Sequence, residues 1–433
     1  VLLLAASYAF YMAWRVDYLL LVLVSTLVDY VAALRIFASA ERRVRRRWLL
    51  LSLVVNLGLL LGFKYLEPAL VGVNELFSWA RLPWHVAVPE ILLPIGISFY
   101  TFQTLSYTID VYRGVSRPER HLGRFALYVA FFPQLVSGPI ERSTTLLPQF
   151  RRRQVFDAQG VSDALKLILW GYFLKLVVAD RLAIYVDQVF TEPSAYRGLA
   201  VLLSVYLFAF QVYFDFSGYT NIAIGSAKLM GFELSETFAR PYLARSIPEF
   251  WRRWHMSLTS WFRDYVYFSA GGSRVGRLRR WLNLYLVFFL VAMWHGTDWK
   301  LALFATAHFL LYALTPAGSR LFQAGLARTG LARVPGLAAA LSVLLTFNLV
   351  AFCWVIWWSA SFTDLVTLYR NVFDWRGGWP ALADLPTNPN NLVLTGLLLA
   401  FCAWIGWLQG DRPQRHLLMH RARPLRWLVL YLL

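Results

Sequence analysis

Long runs of apolar residues dominate this chain, and only short polar segments separate them. A helix needs about 20 mostly apolar residues to cross a bilayer. The pattern therefore predicts an all-α, polytopic membrane protein of about ten or more transmembrane helices, with re-entrant and interfacial helices beside them. The predicted spans are Tyr18–Phe37, Trp48–Leu66, Ile91–Val111, Leu165–Val178, Leu199–Phe214, Leu282–Trp294, Leu301–Leu314, Ala338–Trp358 and Leu392–Leu408, and residues 1–14 form part of another.

Basic loops alternate with acidic ones along the chain. Residues 41–47 contain five arginines, residues 67–90 contain three glutamates and one arginine, and residues 113–124 contain four arginines. Residues 240–280 contain nine arginines, whereas the loop at 361–390 leans acidic. Cytoplasmic loops of membrane proteins carry the excess of basic residues. We therefore expect the arginine-rich loops to be cytoplasmic and the loop at 361–390 to be external.

Two apolar segments connect loops of the same predicted side and so cannot cross the membrane once. Phe125–Ile140 has basic residues at both ends and contains Pro133, Gly138 and Pro139. A re-entrant loop accounts for both features, because broken backbone at membrane depth must face protein or a wet cavity. Phe216–Gly231 raises the same problem and carries polar side chains. The alternative for both segments is a helix that lies flat at the interface.

Composition supports this class and excludes others. Hydrophobic residues make up 58% of the 433 residues and charged residues 15%, with a mean hydropathy of +0.51. The net charge of +18 is almost entirely an excess of arginine in loops, including 411–426. That placement indicates contact with anionic membrane lipids and argues against nucleic acid as a partner. Cys353 and Cys402 lie in apolar runs, so we expect neither a disulfide nor a metal site from them. Apolar residues at both ends of the chain lead us to expect further helices beyond it.

Two histidines carry the candidate chemistry. His255 lies in Trp251–Tyr265, where helical spacing places it on the apolar face of a predicted amphipathic helix at the cytoplasmic surface. His295 ends the apolar run LVFFLVAMW and precedes Gly296, which leaves room for a substrate beside the ring. An ionisable residue in a spanning run is costly and indicates function. The alternatives are a structural, hydrogen-bonded His255 and a His295 that simply meets water at the helix end.

Other catalytic motifs are missing from the sequence. His308 lies in an apolar run, but no second acid or ligand stands at useful spacing from it. The sequence contains no HExxH or CxxC signature, so we expect no metal. It also contains no GxSxG, P-loop or GxGxxG motif, which argues against a serine hydrolase or a nucleotide-dependent enzyme.

The chain resembles the membrane-bound O-acyltransferase (MBOAT) family, particularly its bacterial alginate O-acetylation branch. The resemblance covers most of residues 90–300, and we expect a single MBOAT-type transmembrane domain over 1–433 with its core motifs in 90–315. The matching pieces are PIGISFYTFQTLSYTIDVYRG (Pro94–Gly114), FFPQLVSGPI (Phe131–Ile140), YFDFSGYTNIAIG (Tyr213–Gly225), ARPYLARSIPEFWRRWHMSLTSWFRDYVY (Ala239–Tyr267) and MWHG (Met293–Gly296).

The resemblance implies an enzyme of the bacterial inner membrane that moves an acyl group from a cytoplasmic donor toward an extracytoplasmic polysaccharide such as alginate. It implies acetyl-CoA as the donor, no bound cofactor, and a periplasmic acetyltransferase as partner. In this family the histidine of MWHG is catalytic, which corresponds to His295. Other branches have Asn or Asp at the position of His255, so His255 is expected to position substrate or stabilise charge.

Acyl transfer needs a base for the acceptor proton and hydrogen-bond donors for the developing oxyanion. We predict His295 as the base. A transporter for polysaccharide or lipid-linked sugar is the main alternative, and a non-catalytic scaffold of an export complex is another. The residues predicted to bind substrate or to support the site are Trp294, Asp264, Arg263, Asp215, Tyr219 and Asn221.

Overall fold

Every regular element in the described part of the chain is helical, as the sequence predicts. The computed structural model describes residues 1–376, 387–410 and 429. The helices are α1 (Leu2–Met12), α2 (Leu19–Ala38), α3 (Arg42–Trp79), α4 (Ile97–Arg113), α5 (Leu122–Ala130), α6 (Phe132–Leu135), α7 (Ser143–Arg151), α8 (Ala158–Tyr172), α9 (Asp180–Thr191), α10 (Leu199–Leu229), α11 (Ile247–Arg253), α12 (Met256–Phe262), α13 (Arg277–His295), α14 (Trp299–Arg328), α15 (Pro335–Trp358), α16 (Phe362–Val372) and α17 (Pro389–Gln409).

Shorter helical turns join several of these elements. A π-helix over Phe173–Ala179 makes α8 and α9 continuous, and a second π-helix over Arg263–Tyr267 extends α12. Pro241–Leu243 and Leu331–Arg333 form 3₁₀ turns. The predicted span Leu165–Val178 is thus one part of a longer continuous helix with a π-helical turn inside it.

Six of the described helices are long and apolar enough to cross a membrane, namely α2, α3, α10, α14, α15 and α17. The prediction of a polytopic membrane protein is confirmed, and the predicted number of about ten or more spans is confirmed only in part. The predicted basic loop 411–426 and residues 377–386 of the predicted external loop 361–390 lie outside the described residues.

The separate non-spanning segment predicted over Phe216–Gly231 is wrong. Helix α10 runs without interruption for 31 residues, so this segment continues the predicted span Leu199–Phe214. Its glycines are contact points with α8 and do not break the helix. A Cβ on Gly218 would lie 2.7 Å from the carbonyl oxygen of Gly171, and one on Gly225 would lie 3.0 Å from that of Ala164. Small residues allow this approach of two backbones, which is how helices commonly associate in membranes.

We predict that Gly218→Ala destabilises the protein although alanine favours helices, because the added methyl group meets backbone atoms of α8. Overpacking of this kind costs about 1–3 kcal/mol. Gly58→Ala in α3 is the matched control, since a Cβ there has no neighbour within 4 Å. Thermal unfolding in detergent checks the pair. Equal melting temperatures for the two variants would contradict the close α8–α10 contact.

The segment Phe125–Ile140 is broken as the sequence predicts. Helix α5 ends at Ala130, α6 is four residues long, and extended backbone follows Gly138. A Cβ on Gly138 would lie 2.4 Å from the Cα of Gln134, so this turn requires glycine.

A single carboxylate connects the start of α5 to the end of α7, the helix that follows the broken segment. Glu119, which is 3% exposed, lies 2.7 Å from Arg151 and 3.9 Å from Arg124. Burial acts to raise the pKa of Glu119, but hydrogen bonds from the His121 amide and from Arg151 hold it below its ordinary value. The contact is therefore present at neutral pH and is lost on acidification. Its two arginine partners lie in the first turn of α5 and at the end of α7, so the contact holds the chain before and after the broken segment close together.

We predict that a cysteine at Thr363 reacts with a membrane-impermeant thiol reagent in intact cells, whereas a cysteine at Arg277 reacts only after lysis. Both positions are exposed, and the native Cys353 and Cys402 are buried, so background labelling stays low. The expectation follows from the distribution of arginine between loops. Labelling at 277 but not at 363 in intact cells would reverse the predicted orientation.

Candidate active site

The site begins at the C-terminal end of α13, whose last carbonyl groups lack partners within the helix. Two side chains of α3 supply those partners. Lys64 donates through Nζ to the carbonyl of Trp294, and Tyr65 donates through its hydroxyl to the carbonyl of Met293. The Tyr65 hydroxyl also lies 3.4 Å from the carbonyl oxygen of Gly296. A cation at this end of a helix also interacts favourably with the helix dipole. The backbone on both sides of His295 is therefore held by α3.

His295 contacts two tryptophans, and part of its surface is accessible although the residue lies deep among surrounding protein atoms. The ring centroids of Trp294 and Trp357 each lie 4.5 Å from that of His295. No hydrogen bond or ion pair engages its imidazole among the described residues. The ring therefore borders an accessible space and keeps both nitrogens available. Gly296 contributes differently from the expectation, because a Cβ there would lie 2.9 Å from Cδ1 of Leu301. Its small size serves packing against α14.

His255 occupies a break between two helices, so the single predicted helix over Trp251–Tyr265 is wrong. Helix α11 ends at Arg253 and α12 begins at Met256. His255 has φ +42° and ψ +54°, which is the left-handed region. Residues other than glycine adopt it uncommonly, with Asn, Asp and His several-fold enriched. The break aims the ring inward, where it is 2% exposed and 4.8 Å from the ring of Phe216 on α10.

Hydrogen bonds with the irregular segment 235–239 fix this break. The amide of Met256 donates to the carbonyl of Thr237 at 2.8 Å, and the amide of Ala239 donates to the carbonyl of Arg253 at 3.0 Å. The same segment is anchored to the end of the re-entrant loop, because both the amide and the hydroxyl of Ser235 donate to Glu141. The re-entrant loop therefore helps to position His255 through the segment 235–239.

A continuous series of ring contacts joins the two histidines to a third. Trp294 contacts His255 at 6.3 Å and His295 at 4.5 Å. On the other side of His295, Trp357 packs on Phe304, whose ring lies 4.4 Å from that of His308. His308 is fully buried. Sequence analysis found less support for a catalytic role of His308 than for His255 and His295. The structure places the His308 ring in the same aromatic cluster as those two histidines.

Buried polar atoms without hydrogen-bond partners collect in the elements around His255. Such atoms are rare in native proteins, and at membrane depth they usually face a functional cavity. They suit a site whose partners are substrate groups. The side chains concerned are Ser217, Asn221, Thr237, Trp251, His255, Ser257, Trp294 and His308.

The predicted supporting residues divide into two groups. Trp294 and Asn221 are buried with unpaired polar atoms, and Trp294 contacts both predicted histidines. Asp215 instead forms an ion pair with Lys175 at 2.5 Å, with about half of each side chain exposed. Tyr219 is 37% exposed and interacts with the backbone of Ser137 in the re-entrant loop.

Asp264 and Arg263 lie at the basic end of the molecule, which is the end where Arg113 and Arg142 surround Asp264. Asp264 lies 3.1 Å from Arg142 and 2.8 Å from Arg263, and its carbonyl accepts a hydrogen bond from Arg113. These contacts connect the end of α12 to the C-terminal end of α4 and to the residues that follow the re-entrant loop. Their part is the placement of α12, whose first residue follows His255.

Sequence reasoning did not single out Lys64, Tyr65 and Trp357. A signal for Lys64 was present, since a lysine inside the predicted span Trp48–Leu66 is costly and needs a partner. Tyr65 and Trp357 resemble the many other aromatic residues of apolar runs, so nothing local marks them. Within the described residues, no three His, Cys, Asp or Glu side chains converge as they would to bind a metal ion.

The three histidines lie in a part of the chain that matches a known protein family. The family model of MBOAT, the membrane-bound O-acyltransferases, matches residues 119–355, which is more than half of the chain and includes His255, His295 and His308. A Pseudomonas aeruginosa protein named probable alginate O-acetylase AlgI is 38% identical over 402 residues, covering 92% of this chain and 74% of the relative. The chain belongs to the membrane-bound O-acyltransferase family. The predicted family and the predicted enzyme class, an acyltransferase, are confirmed.

Other MBOAT relatives carry names with different acceptors. The peptidoglycan O-acetyltransferase of Helicobacter pylori is 30% identical over 401 residues, covering 86% of this chain and 73% of the relative. The teichoic acid D-alanyltransferase of Bacillus subtilis is 26% identical over 267 residues, covering 58% of this chain and 67% of the relative. Similarity therefore extends to proteins that are named for transfer of two different acyl groups.

We predict that Lys64→Met lowers the rate of acyl transfer by roughly ten- to a hundredfold, because a hydrogen bond from a charged group contributes about 1.5–3 kcal/mol. Methionine keeps the length and suits the membrane, so the helix should still form. Lys64→Arg retains a charged donor and should recover most of the rate. Transfer rates of purified variants, measured beside their melting temperatures, check this. A wild-type rate in Lys64→Met would show that α13 needs no help from α3.

Proposed function

We propose that this acyltransferase moves an acetyl group from cytoplasmic acetyl-CoA toward hydroxyl groups of an extracytoplasmic polysaccharide such as alginate, with His295 as the general base. The observation that carries the proposal is the accessible, unpaired imidazole of His295 among aromatic rings at the end of α13. The relatives named for O-acetylation are 38% and 30% identical, and the one named for D-alanylation is 26% identical. These values favour acetyl as the transferred group.

The proposed reaction uses one ring nitrogen of His295 as the base. His295 takes the proton from the acceptor hydroxyl while the hydroxyl oxygen attacks the carbonyl carbon of the thioester. The tetrahedral intermediate then loses the thiolate as the carbon–sulfur bond breaks, and the imidazolium returns its proton to that thiolate. An ester and a free thiol result, and His295 is regenerated. The unpaired Nε1–H of Trp294, in the adjacent residue, is a donor for the developing oxyanion.

The direction of transfer rests on the two ends of α13. The helix starts at exposed Arg277 in the arginine-rich loop, and its 19 residues span roughly 28 Å before His295. A donor that enters from the basic, cytoplasmic end and an acceptor that enters from the opposite side would meet near His295. We propose the bacterial inner membrane as the location, and a periplasmic acetyltransferase as the partner that receives the group and passes it to polysaccharide.

We predict that His295→Ala abolishes acetylation of cell-surface polysaccharide, since a lost general base costs about 10²–10⁴ in rate. His295→Gln should fail as well, because glutamine keeps a hydrogen bond but is not basic. His255→Asn should retain measurable activity, because asparagine tolerates the left-handed backbone and keeps a polar group. Mass spectrometry of the polysaccharide, with protein levels in the membrane as control, shows how far each variant lowers acetylation.

The same variants separate the alternatives. Polysaccharide that reaches the surface at normal levels but without acetyl groups, in His295→Gln, supports the acyltransferase. Loss of the polysaccharide itself would favour a transporter, and unchanged acetylation in both histidine variants would favour a scaffold. A larger loss in His255→Asn than in His295→Ala would mean that the base is His255.

A further inference from the structure

A crevice lies at the basic end of the molecule between α13, α14 and the end of α12. Its volume is about 410 Å³. Arg263 and Arg280 line it together with Trp281, and its floor is formed by Leu284, Val287 and Tyr312. None of these floor residues takes part in the ring contacts that join the three histidines. The crevice nevertheless adjoins the candidate active site, because its lining residue Thr259 donates a hydrogen bond to the carbonyl of His255 at 3.2 Å.

The mouth of the crevice carries uncompensated positive charge. Arg263 shares the single carboxylate of Asp264 with Arg142. Arg280 has no carboxylate partner among the described residues, and its guanidinium instead lies 5.4 Å from the ring centroid of Trp281. Two guanidinium groups at one mouth match a phosphate group, which they can bind through paired N–H donors.

The inner part of the crevice is apolar. Val287 lies seven residues beyond Arg280 on α13, which corresponds to roughly 10 Å along the helix axis. Leu284, Val287 and Tyr312 belong to the predicted spans Leu282–Trp294 and Leu301–Leu314. A ligand that fills the crevice therefore has a phosphate at the mouth and a hydrocarbon chain below it.

The surface beside the crevice is that of a lipid-facing helix. Leu278 and Leu282 on α13 are 74% and 58% exposed, and Phe268 at the mouth is 57% exposed. Trp281 stands between the charged and the apolar parts, where aromatic residues of membrane proteins are enriched. Basic pockets between transmembrane helices on the cytoplasmic side are suited to anionic lipid headgroups.

We propose that this crevice binds one anionic membrane phospholipid, with its phosphate on Arg263 and Arg280 and one acyl chain along Leu284, Val287 and Tyr312. The bound lipid fills the gap between α13 and α14 at the basic end. The proposal is independent of the assignment of His295, because it concerns retention of lipid and not catalysis.

The test is native mass spectrometry of the purified protein from nanodiscs of phosphatidylcholine that contain a minor fraction of phosphatidylglycerol. We expect one phosphatidylglycerol to remain bound under conditions that remove phosphatidylcholine. Arg280→Gln and Arg263→Gln should each reduce this retention roughly tenfold or more. Arg279→Gln is the matched control, since Arg279 is an exposed arginine of the same helix turn that does not line the crevice. It should retain the lipid as the wild type does.

Other outcomes would overturn the proposal. Equal losses in Arg279→Gln and Arg280→Gln would mean that diffuse charge, and not the crevice, holds the lipid. Displacement of the lipid by free CoA or by inorganic phosphate would assign the mouth to a water-soluble anion. Arg263 also contacts Asp264, so its variant could lose structure. Arg280→Gln breaks no ion pair among the described residues, and its melting temperature shows that any loss of lipid is local.

Discussion

The hydrogen bonds from α3 to the end of α13 are the constraint on which the candidate site depends. A helix that ends inside a protein leaves carbonyl groups that must find donors. Here Lys64 and Tyr65 supply them, at the two residues before His295. A lysine at that depth is costly unless it is paired. The carbonyl groups and the ammonium group thus satisfy each other, and the result is an imidazole whose backbone is fixed while both of its nitrogens remain free.

A second set of contacts brings His255 to the same place from the other direction. The re-entrant loop closes on Glu119, and its exit holds the segment 235–239 through Glu141. That segment in turn binds the break at His255 through two backbone hydrogen bonds. The left-handed conformation of His255 is uncommon for a residue with a side chain, and it persists because neighbours on both sides of it are held. The site is thus assembled from α3, the segments 119–141 and 235–256, and the end of α13, and not from one local motif.

Features that depend on local composition could be predicted from the sequence. Apolar runs located most of the spanning helices, and arginine counts located the basic loops. The cost of an ionisable group in lipid marked His295, whereas His255 was marked by helical spacing and by the family resemblance. Prediction from the sequence failed where the local structure depends on contacts with residues that are distant in the chain. The predicted side of the flanking loops indicated a separate, non-spanning segment over Phe216–Gly231. The structure instead continues α10 through it, where Gly218 and Gly225 contact α8, and no pattern within α10 reveals those contacts. The break at His255 depends on backbone hydrogen bonds with residues 237 and 239, and helical spacing alone predicted a continuous helix. Lys64 carried a signal that only its partner on α13 explains.

The central claim, that His295 is the base of a transfer from a cytoplasmic thioester, is tested most directly with purified protein in proteoliposomes. Acetyl-CoA carrying a labelled acetyl group is supplied only on the side of the arginine-rich loops, with a hydroxyl-bearing acceptor on the other side. The measurement is the initial rate at which labelled ester appears on the acceptor side. The account predicts transfer by the wild type and a loss of about 10²–10⁴ in His295→Gln, with normal reconstitution of both. An unchanged rate in His295→Gln would contradict it.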